Sequence, residues 1–368
     1  MYGANGILPP RKTCITYHDK FVQYDLGVNH PFRGDRFIKA KKYFEEKGLF
    51  NLPNIKLITP KPARKEDLLK VHTKDYVNHI FSLAERGEPY DIDTPTSKSI
   101  LEALMYIIGG VLRAGEAVVT GEFERAVALG GGFHHAGRNY GGGFCLFNDI
   151  AILIEHLREK FNLKKFLVLD YDVHAGNGTS DIYYSDPTVL VISFHQDPMT
   201  IYPGRGFINE IGKGEGKGYN VNVPLPMRAG EEAYLYALNE IFPPLAKEFK
   251  PDIILANGGS DAHFADHLGS LGLTAKGFFK IARLISQVSD RVCDGKAMLF
   301  VASGYNTLVL PYCWYALIAG IADLNIAEAE IEDHYPALAN PRQSKERVVR
   351  IVNGLKEILS SYWTCFKE

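Results

Sequence analysis

Five apolar runs constrain the fold of this chain more than any other feature, because they are short and have no polar face. Val, Ile, Leu, Ala and Phe occupy both sides of each run, as in strands that helices cover on both faces of a sheet. The runs are residues 126–132, 166–172, 188–195, 252–259 and 297–305. They predict the buried strands of a mainly parallel sheet.

Helical patterns separate these runs. Amphipathic spacing predicts helices over residues 65–86, 148–161, 231–249 and 274–290, and a further surface helix in residues 344–366. Strands that alternate with helices of this length form βαβ units with right-handed crossovers. No repeat or long linker divides the sequence. We therefore expect one α/β domain over residues 1–368, with a central mainly parallel sheet flanked by helices on both faces.

Each predicted strand runs into chemically useful side chains where it ends. These are His134, His135, Asp170, Asp172, His174, Ser193, His195, Asp261 and Tyr305. Open α/β sheets bind ligands at the carboxyl ends of their strands. An extended backbone from Asp170 to His174 would put three of these side chains on one side. One such residue alone is usually a helix cap or a core residue, but five strand ends with the same pattern favour a functional site.

The composition excludes several classes of protein. With 46% hydrophobic and 23% charged residues and a formal net charge of -2, the chain is typical of soluble globular proteins, and neither nucleic acid nor an anionic membrane is an expected partner. The five cysteines are far apart without a CxxC pair, so neither disulfides nor a thiolate zinc site is predicted. Residues 1–12 lack the order of a secretory signal. We expect a cytoplasmic protein.

The residue types at the strand ends predict a reaction. Carboxylates and an imidazole without thiolate suit a catalytic divalent metal, which can lower the pKa of water from ~16 toward ~7. His134 and His135, after three glycines, would supply a base and an acid, and Tyr305 would donate a hydrogen bond to an oxyanion. This set predicts metal-assisted hydrolysis of an amide or ester.

Four sequence blocks resemble those of the zinc-dependent histone deacetylase family, which shares its fold with arginases. The blocks are GGFHHAGRNYGGGFCLFND, DYDVHAGNGT, GGSDAHFADHLGSLGLT and SGYN, and their order and spacing also match. The similarity extends to YHDKF and NHPFRGDRF near the start of the chain. It implies an arginase/deacetylase fold and a prokaryotic enzyme similar to class II deacetylases or to the acetoin-utilisation type.

The resemblance also implies roles for single residues. Asp172, His174 and Asp261 would bind the metal, which is expected to be Zn²⁺, with Fe²⁺ as an alternative. The implied catalytic group is His135 as general base and acid, His134 to hold and polarise the water, Tyr305 beside the oxyanion, Asp170 to orient His134, and Asn177 to orient His135.

Asn177 matches the branch of the family similar to class II deacetylases, and two further positions depart from the common pattern. Some members have Asp where this chain has Asn177, and because an amide stabilises an imidazolium less than a carboxylate does, we expect a lower pKa for His135. Ala175 replaces a second histidine, and Phe133 replaces a proline before the histidine pair. Neither of these two is an expected ligand or base. Cys145 is expected to be a small buried residue and not a nucleophile.

A substrate tunnel and a second cation follow from the same resemblance. Gly143 and Phe144 would form one wall and Tyr202 the other, with Leu268 at the rim and Asp93 at the mouth to accept hydrogen bonds from substrate amides. A structural K⁺ would be held by the carbonyls of four residues and the hydroxyl of a fifth, namely Asp170, Asp172, His174, Phe194 and Ser193.

The expected function is hydrolysis of an N-acetylated amine, most simply acetyl-lysine in a protein. A hydrolase of acetylpolyamines or other small amides is the first alternative, although residues 85–99 are short where such enzymes carry an insertion. A two-manganese arginase is disfavoured because Gly176 stands where a further carboxylate would be needed. A catalytically silent protein that binds acyl ligands is the alternative of another class. The physiological substrate and the oligomeric state stay open.

Overall fold

The computed structural model describes residues 9–333 and 342–367, and one parallel sheet of eight strands runs through it. In chain order the strands are β1 Thr13–Thr16, β2 Ile55–Ile58, β3 Arg125–Leu129, β4 Phe166–Asp170, β5 Val189–Gln196, β6 Asn220–Leu225, β7 Ile253–Gly258 and β8 Ala297–Val301. Their order across the sheet is β2-β1-β3-β8-β7-β4-β5-β6, and every neighbouring pair is parallel. The α/β prediction is confirmed.

Helices connect the strands and cover the sheet. They are α1 Asp35–Glu46, α2 Lys65–Leu68, α3 Lys74–Arg86, α4 Lys98–Val119, α5 Asp149–Phe161, α6 Asn177–Tyr183, α7 Glu231–Phe249, α8 Ala275–Val292, α9 Leu310–Ile321 and α10 Arg342–Leu359. Every residue of β3, β4, β5, β7 and β8 is buried, so both faces of the central sheet are covered. None of the described helices is long and apolar enough to cross a membrane.

The five predicted strands are confirmed, whereas three others were not anticipated. β1 and β2 have only four residues each, and β6 has asparagine at its first and third positions, so none of them forms a long apolar run. The helix predicted over residues 65–86 is two helices, α2 and α3, and Thr73 caps the second by accepting from the Tyr76 amide. The expectation about a secretory signal concerned residues 1–12, and residues 1–8 lie outside the described residues. The single domain over residues 1–368 also stays a prediction.

The strand order brings distant parts of the sequence to one place. β3, β8, β7 and β4 are consecutive neighbours in the middle of the sheet, and all run in the same direction. The segments that leave their carboxyl ends carry His134 and His135, Tyr305, Asp261, and Asp170 to His174 respectively. The fold therefore places the expected catalytic and metal-binding residues at one edge.

Helix α4 approaches the rest of the fold closely at a glycine. A Cβ atom on Gly109 would lie 1.9 Å from the carbonyl oxygen of Lys61. We predict that Gly109→Ala lowers the free energy of unfolding by about 1–3 kcal/mol, although alanine is ordinarily the better helix former. Urea denaturation measures the change.

The matched control is Gly354→Ala in α10, where the nearest atom to an added Cβ is Ile208 Cδ1 at 3.9 Å. This variant is expected to gain about 0.4–1 kcal/mol because the unfolded chain loses freedom and nothing is displaced. A Gly109→Ala protein as stable as Gly354→Ala would contradict the close packing of α4.

Candidate metal and catalytic site

Three side chains form a group that could hold a metal ion. Asp172 and His174 follow β4, Asp261 follows β7, and one ligand atom from each lies within 4.8 Å of the others. All three residues are buried. His174 Nδ1 lies 3.0 Å from Asp172 Oδ1 and 3.4 Å from Asp261 Oδ2. The described part of the chain thus contains the ligand set that the sequence predicts.

The electrostatics of this group fit a divalent cation. Asp261 Oδ2 is buried and has no hydrogen-bond partner. Burial and the nearby charge of Asp172 raise the pKa of Asp261 to about 8. The raised pKa means that the protein alone does not stabilise a negative charge on both carboxylates, whereas a bound divalent cation would. Two oxygen donors and one nitrogen donor suit Zn²⁺ or Fe²⁺.

His134 is held by a carboxylate from β4. Its Nδ1 lies 2.6 Å from Asp170 Oδ2, and the Nδ2 group of Asn257 donates to the other oxygen of Asp170 at 3.1 Å. Burial would lower the pKa of His134, but Asp170 and Asp172 outweigh it and raise the pKa to about 9. His134 therefore carries a positive charge at neutral pH, with Asp170 as its counter-ion.

His135 has the opposite protonation preference. Its Nδ1 lies 2.7 Å from Asn177 Oδ1, at the start of α6. Burial, and then the charges of His134 and His174, hold its pKa well below the ordinary value. Because the amide oxygen can only accept, His135 keeps its proton on Nδ1 and has a lone pair on Nε2.

The two histidines are hydrogen-bonded to each other in a way that agrees with this assignment. His134 Nε2 lies 3.1 Å from His135 Nε2, so a protonated His134 donates to a neutral His135. Adjacent titratable groups whose surroundings push their pKa values apart divide the roles of acid and base. The geometry gives His135 the basic nitrogen and His134 the charge.

Tyr305 reaches the site from the end of β8. It is partly buried, its ring centroid lies 6.4 Å from that of His174, and burial and the nearby Asp172 and Asp261 raise its pKa well above the ordinary value. The phenol is therefore protonated and can donate. The guanidinium of Arg36, which is fully buried, lies 5.4 Å from the Tyr305 ring and donates to the Ala302 carbonyl at 2.8 Å.

Two buried carboxylates position the segments that carry these groups. Asp149 accepts from the amides of Gly132 and Phe133 at 2.8 Å each, immediately before the histidine pair. Asp266 accepts from the amides of Tyr305 at 2.7 Å and Asn306 at 3.2 Å. Neither carboxylate was predicted from the sequence, and neither were Asn257 and Arg36. For Asp266, the only signal was an acid five residues after the predicted ligand Asp261.

The predicted tunnel residues lie beside the catalytic group. Gly143 has φ +54°, and an added Cβ would lie 2.5 Å from the His135 ring and 2.8 Å from Tyr202, so only glycine lets the two rings meet at 4.9 Å. Phe144, with φ +69°, packs its ring 5.8 Å from that of Tyr305. Strained non-glycine backbone of this kind is concentrated at functional sites.

The outer part of the predicted tunnel reaches solvent. The wall residue Tyr202 is 48% exposed and the rim residue Leu268 is 37% exposed, whereas His134 and His135 are buried. Asp93 is partly buried, and its backbone carbonyl lies 3.0 Å from His30 Nε2. This contact joins the loop of Asp93 to the loop of His30. Cys145 is buried, and burial raises the pKa of its thiol well above the ordinary value, which fits the expectation of a small buried residue.

The residues expected to bind K⁺ are also buried together. Ser193 Oγ lies 2.8 Å from His195 Nδ1, while His195 Nε2 donates to the Gly206 carbonyl at 2.9 Å. Ser193 therefore donates to His195, and its oxygen lone pairs are available to a cation. The carbonyls of Asp170, Asp172, His174 and Phe194 belong to the adjacent β4 and β5 segments, and their role stays a prediction.

Comparison with known proteins identifies the family. A protein-family model described as the histone deacetylase domain matches residues 30–321 of this chain, which include every predicted metal-binding and catalytic residue. This chain belongs to the histone deacetylase family. That membership confirms the resemblance inferred from the four sequence blocks.

Individual relatives agree with this assignment. A probable deacetylase of Archaeoglobus fulgidus is 35% identical over 96% of this chain and 99% of the relative. The acetoin utilization protein AcuC of Bacillus subtilis is 32% identical over 83% of this chain and 80% of its own. The crystal structure of the HDA15 HD domain superposes with a TM-score of 0.83 at 26% identity, covering 96% of this chain and 97% of that one.

The contacts of Asp266 lead to a prediction about Tyr305. Asp266 accepts through both oxygens, one from the amides of Tyr305 and Asn306 and the other from the amide of Leu268, so an asparagine would turn its NH₂ group toward a backbone N–H on one side, and Asp266→Asn should shift the Tyr305 segment. We expect a loss of about 1–3 kcal/mol in unfolding free energy and a fall in deacetylase turnover of at least about tenfold, with metal content unchanged.

Asp252→Asn is the matched control, because Asp252 also accepts two backbone amides, those of Lys164 and Lys165, but at the opposite end of β7. Turnover and metal content of the two variants are compared at equal folded fraction. Equal turnover in both would show that Asp266 does not position Tyr305.

Proposed function

We propose that this protein hydrolyses the amide bond of an N-acetylated amine in a metal-dependent reaction, with the acetyl-lysine side chain of a protein as the simplest substrate. The observation that carries the proposal is the geometry of the histidine pair, whose Nε2 atoms lie 3.1 Å apart, with His134 Nε2 3.8 Å from Asp172 in the group of Asp172, His174 and Asp261. Membership of the histone deacetylase family supports the same reaction class.

Asp172, His174 and Asp261 would hold the metal, for which Zn²⁺ is the first candidate and Fe²⁺ the second. Such a cation supplies Lewis acidity, which polarises a carbonyl and makes water acidic enough to lose a proton at neutral pH. Three protein ligands leave coordination positions open for substrate and water. The orphaned oxygen of Asp261 is the feature of this chain that best supports the site.

The chain's own groups would move the protons. His135 Nε2 accepts a proton from the attacking water and returns it to the amine nitrogen as the C–N bond breaks. Asn177 keeps the other proton of His135 on Nδ1 throughout. His134, charged through Asp170, orients the water by donating from Nε2, and Tyr305 donates a hydrogen bond to the oxyanion that forms on the carbonyl.

The substrate would enter between Phe144 and Tyr202. The aliphatic stem of an acylated lysine would pack against aromatic walls, and Gly143 is the residue that lets Tyr202 lie next to His135 there. Asp93 would accept hydrogen bonds from the backbone amides of the substrate, and Leu268 would contact its surface. A K⁺ at Ser193 and Phe194 would have a structural role under β4.

Acetate release from a substrate panel tests the proposal. The metal-free protein is loaded with Zn²⁺, or with Fe²⁺ under anaerobic conditions, and is assayed with acetyl-lysine peptides and acetylated polyamines, each with and without chelator. We expect chelator-sensitive release that is fastest with the peptides. Tyr305→Phe is expected to keep its metal and to lose about 10²–10³ of turnover, since it removes one oxyanion donor.

Other outcomes have distinct meanings. Faster release from polyamines would make the protein a hydrolase of small acetylated amines. If no substrate of the panel releases acetate although one metal ion is bound per chain, the proposed hydrolysis is contradicted. That result would favour a protein that only binds acyl ligands.

The pH profile tests the role of Asn177. His135 must be neutral to accept a proton, so its pKa sets the acidic limb of kcat/KM. Asn177→Asp puts a negative charge 2.7 Å from His135 Nδ1 and stabilises the imidazolium. The acidic limb is expected to move to higher pH by about one pH unit or more.

The control for this variant is Asn139→Asp, which adds the same charge at an exposed position of the segment that carries His135. An acidic limb that stays in place in Asn177→Asp, or that moves equally in both variants, would show that His135 is not the general base.

A further inference from the structure

The large apolar side chains that reach solvent are unevenly distributed over the described residues. Ten are exposed, and six of them lie in loops around the candidate site. These six, which we call the apolar rim, are Val28, Ile92, Met199, Tyr202, Leu268 and Leu308. Ile92 is fully exposed, Met199 is 78% exposed and Leu308 is 70% exposed. Side chains of this type placed together in solvent mark a binding surface.

The loops of the apolar rim are fixed to the site and to one another. His30 contacts the Asp93 carbonyl at 3.0 Å, and its ring lies 4.5 Å from that of Phe144. This contact places Val28, two residues before His30, and Ile92, next to Asp93, at the mouth on the Phe144 side.

The opposite side of the mouth is built in the same way. The Ser270 amide donates to Gln196 Oε1 at 2.7 Å, which joins the loop of Met199 to the loop of Leu268. Asp266 accepts from the amides of Leu268 and Tyr305, so Leu268 and the Tyr305–Leu308 segment are tied to one carboxylate. The residues of the apolar rim thus belong to loops around the entrance that are held by hydrogen bonds of His30, Gln196 and Asp266.

The acidic groups in these loops are mostly engaged within the protein. Asp25 is paired with Arg33 at 3.0 Å, and Asp197 accepts from the Met199 amide at 3.0 Å. Glu210 accepts from the amides of Gly206 and Phe207. In the rim loops that the structure describes, Asp91 and Asp93 are the carboxylates nearest the mouth, and they flank Ile92. Asp91 and Asp93 could still meet a lysine or an arginine, so any selection at this mouth depends on the apolar side chains of the rim and not on a lack of acidic groups.

We propose that the apolar rim selects acylated lysines whose neighbours in the polypeptide are apolar or aromatic, over lysines in basic segments. This inference rests on the proposed function and names the class of substrate for the same site. The acylated side chain would pass between Phe144 and Tyr202, while its flanking side chains would be buried against Met199, Leu268 and Leu308.

Three acetyl-lysine peptides of equal length test this selection, with Leu and Phe, Ser and Gly, or Lys and Arg at the two positions on each side. We expect kcat/KM for the apolar peptide to exceed that for the basic one by at least about tenfold, since burying one leucine-sized side chain has an effect of this size. The ratio should fall toward one in the double variant Met199→Ser, Leu308→Ser.

Leu69→Ser is the control, because Leu69 is an exposed apolar residue outside the apolar rim, and its ratio should stay that of the wild type. Equal rates for the three peptides, or a preference for the basic one, would overturn this inference and leave the proposed hydrolysis intact. If no acetylated peptide is hydrolysed although the metal is bound, the proposed function fails, and this inference fails with it.

Discussion

Buried negative charge is the constraint on which this structure depends. Five carboxylates are buried around the site, Asp149, Asp170, Asp172, Asp261 and Asp266, and among the described residues none of them is paired with a lysine or an arginine. Asp149 and Asp266 are satisfied by backbone amides, and Asp170 by His134. Asp172 and Asp261 have mainly His174 between them, and burial together with Asp172 raises the pKa of Asp261, so a divalent cation would be needed to keep both carboxylates charged.

The same charges set the difference between the two histidines. His134 and His135 are neighbours in the sequence and are both buried, so burial alone would treat them alike. Asp170 raises the pKa of one, and the neutral Asn177 leaves the pKa of the other low. A carboxylate beside Nδ1 of His134 therefore favours a charged imidazole, whereas an amide beside Nδ1 of His135 leaves a neutral imidazole that can act as a base.

Much of this arrangement could be predicted from the sequence, because it follows from strong local patterns. Long apolar runs identified the five central strands, and their ends identified Asp172, His174, Asp261 and the histidine pair. β1, β2 and β6 were missed because short or polar strands gain their stability from neighbours in the sheet, which the sequence does not display. Asp266 was missed because a carboxylate that accepts backbone amides looks, in sequence, like any loop aspartate. The protonation states of the histidines required the distances.

The order of the central strands divides the site into two halves. The three candidate metal ligands follow β4 and β7, which are neighbours, whereas the histidine pair and Tyr305 follow β3 and β8, which are neighbours on the other side. Changes confined to the loops after β3 and β8 would leave all three ligands in place. The fold thus separates the capacity to bind a metal ion from the capacity to use it. A relative that lost the second without the first would still be a metalloprotein of the same shape.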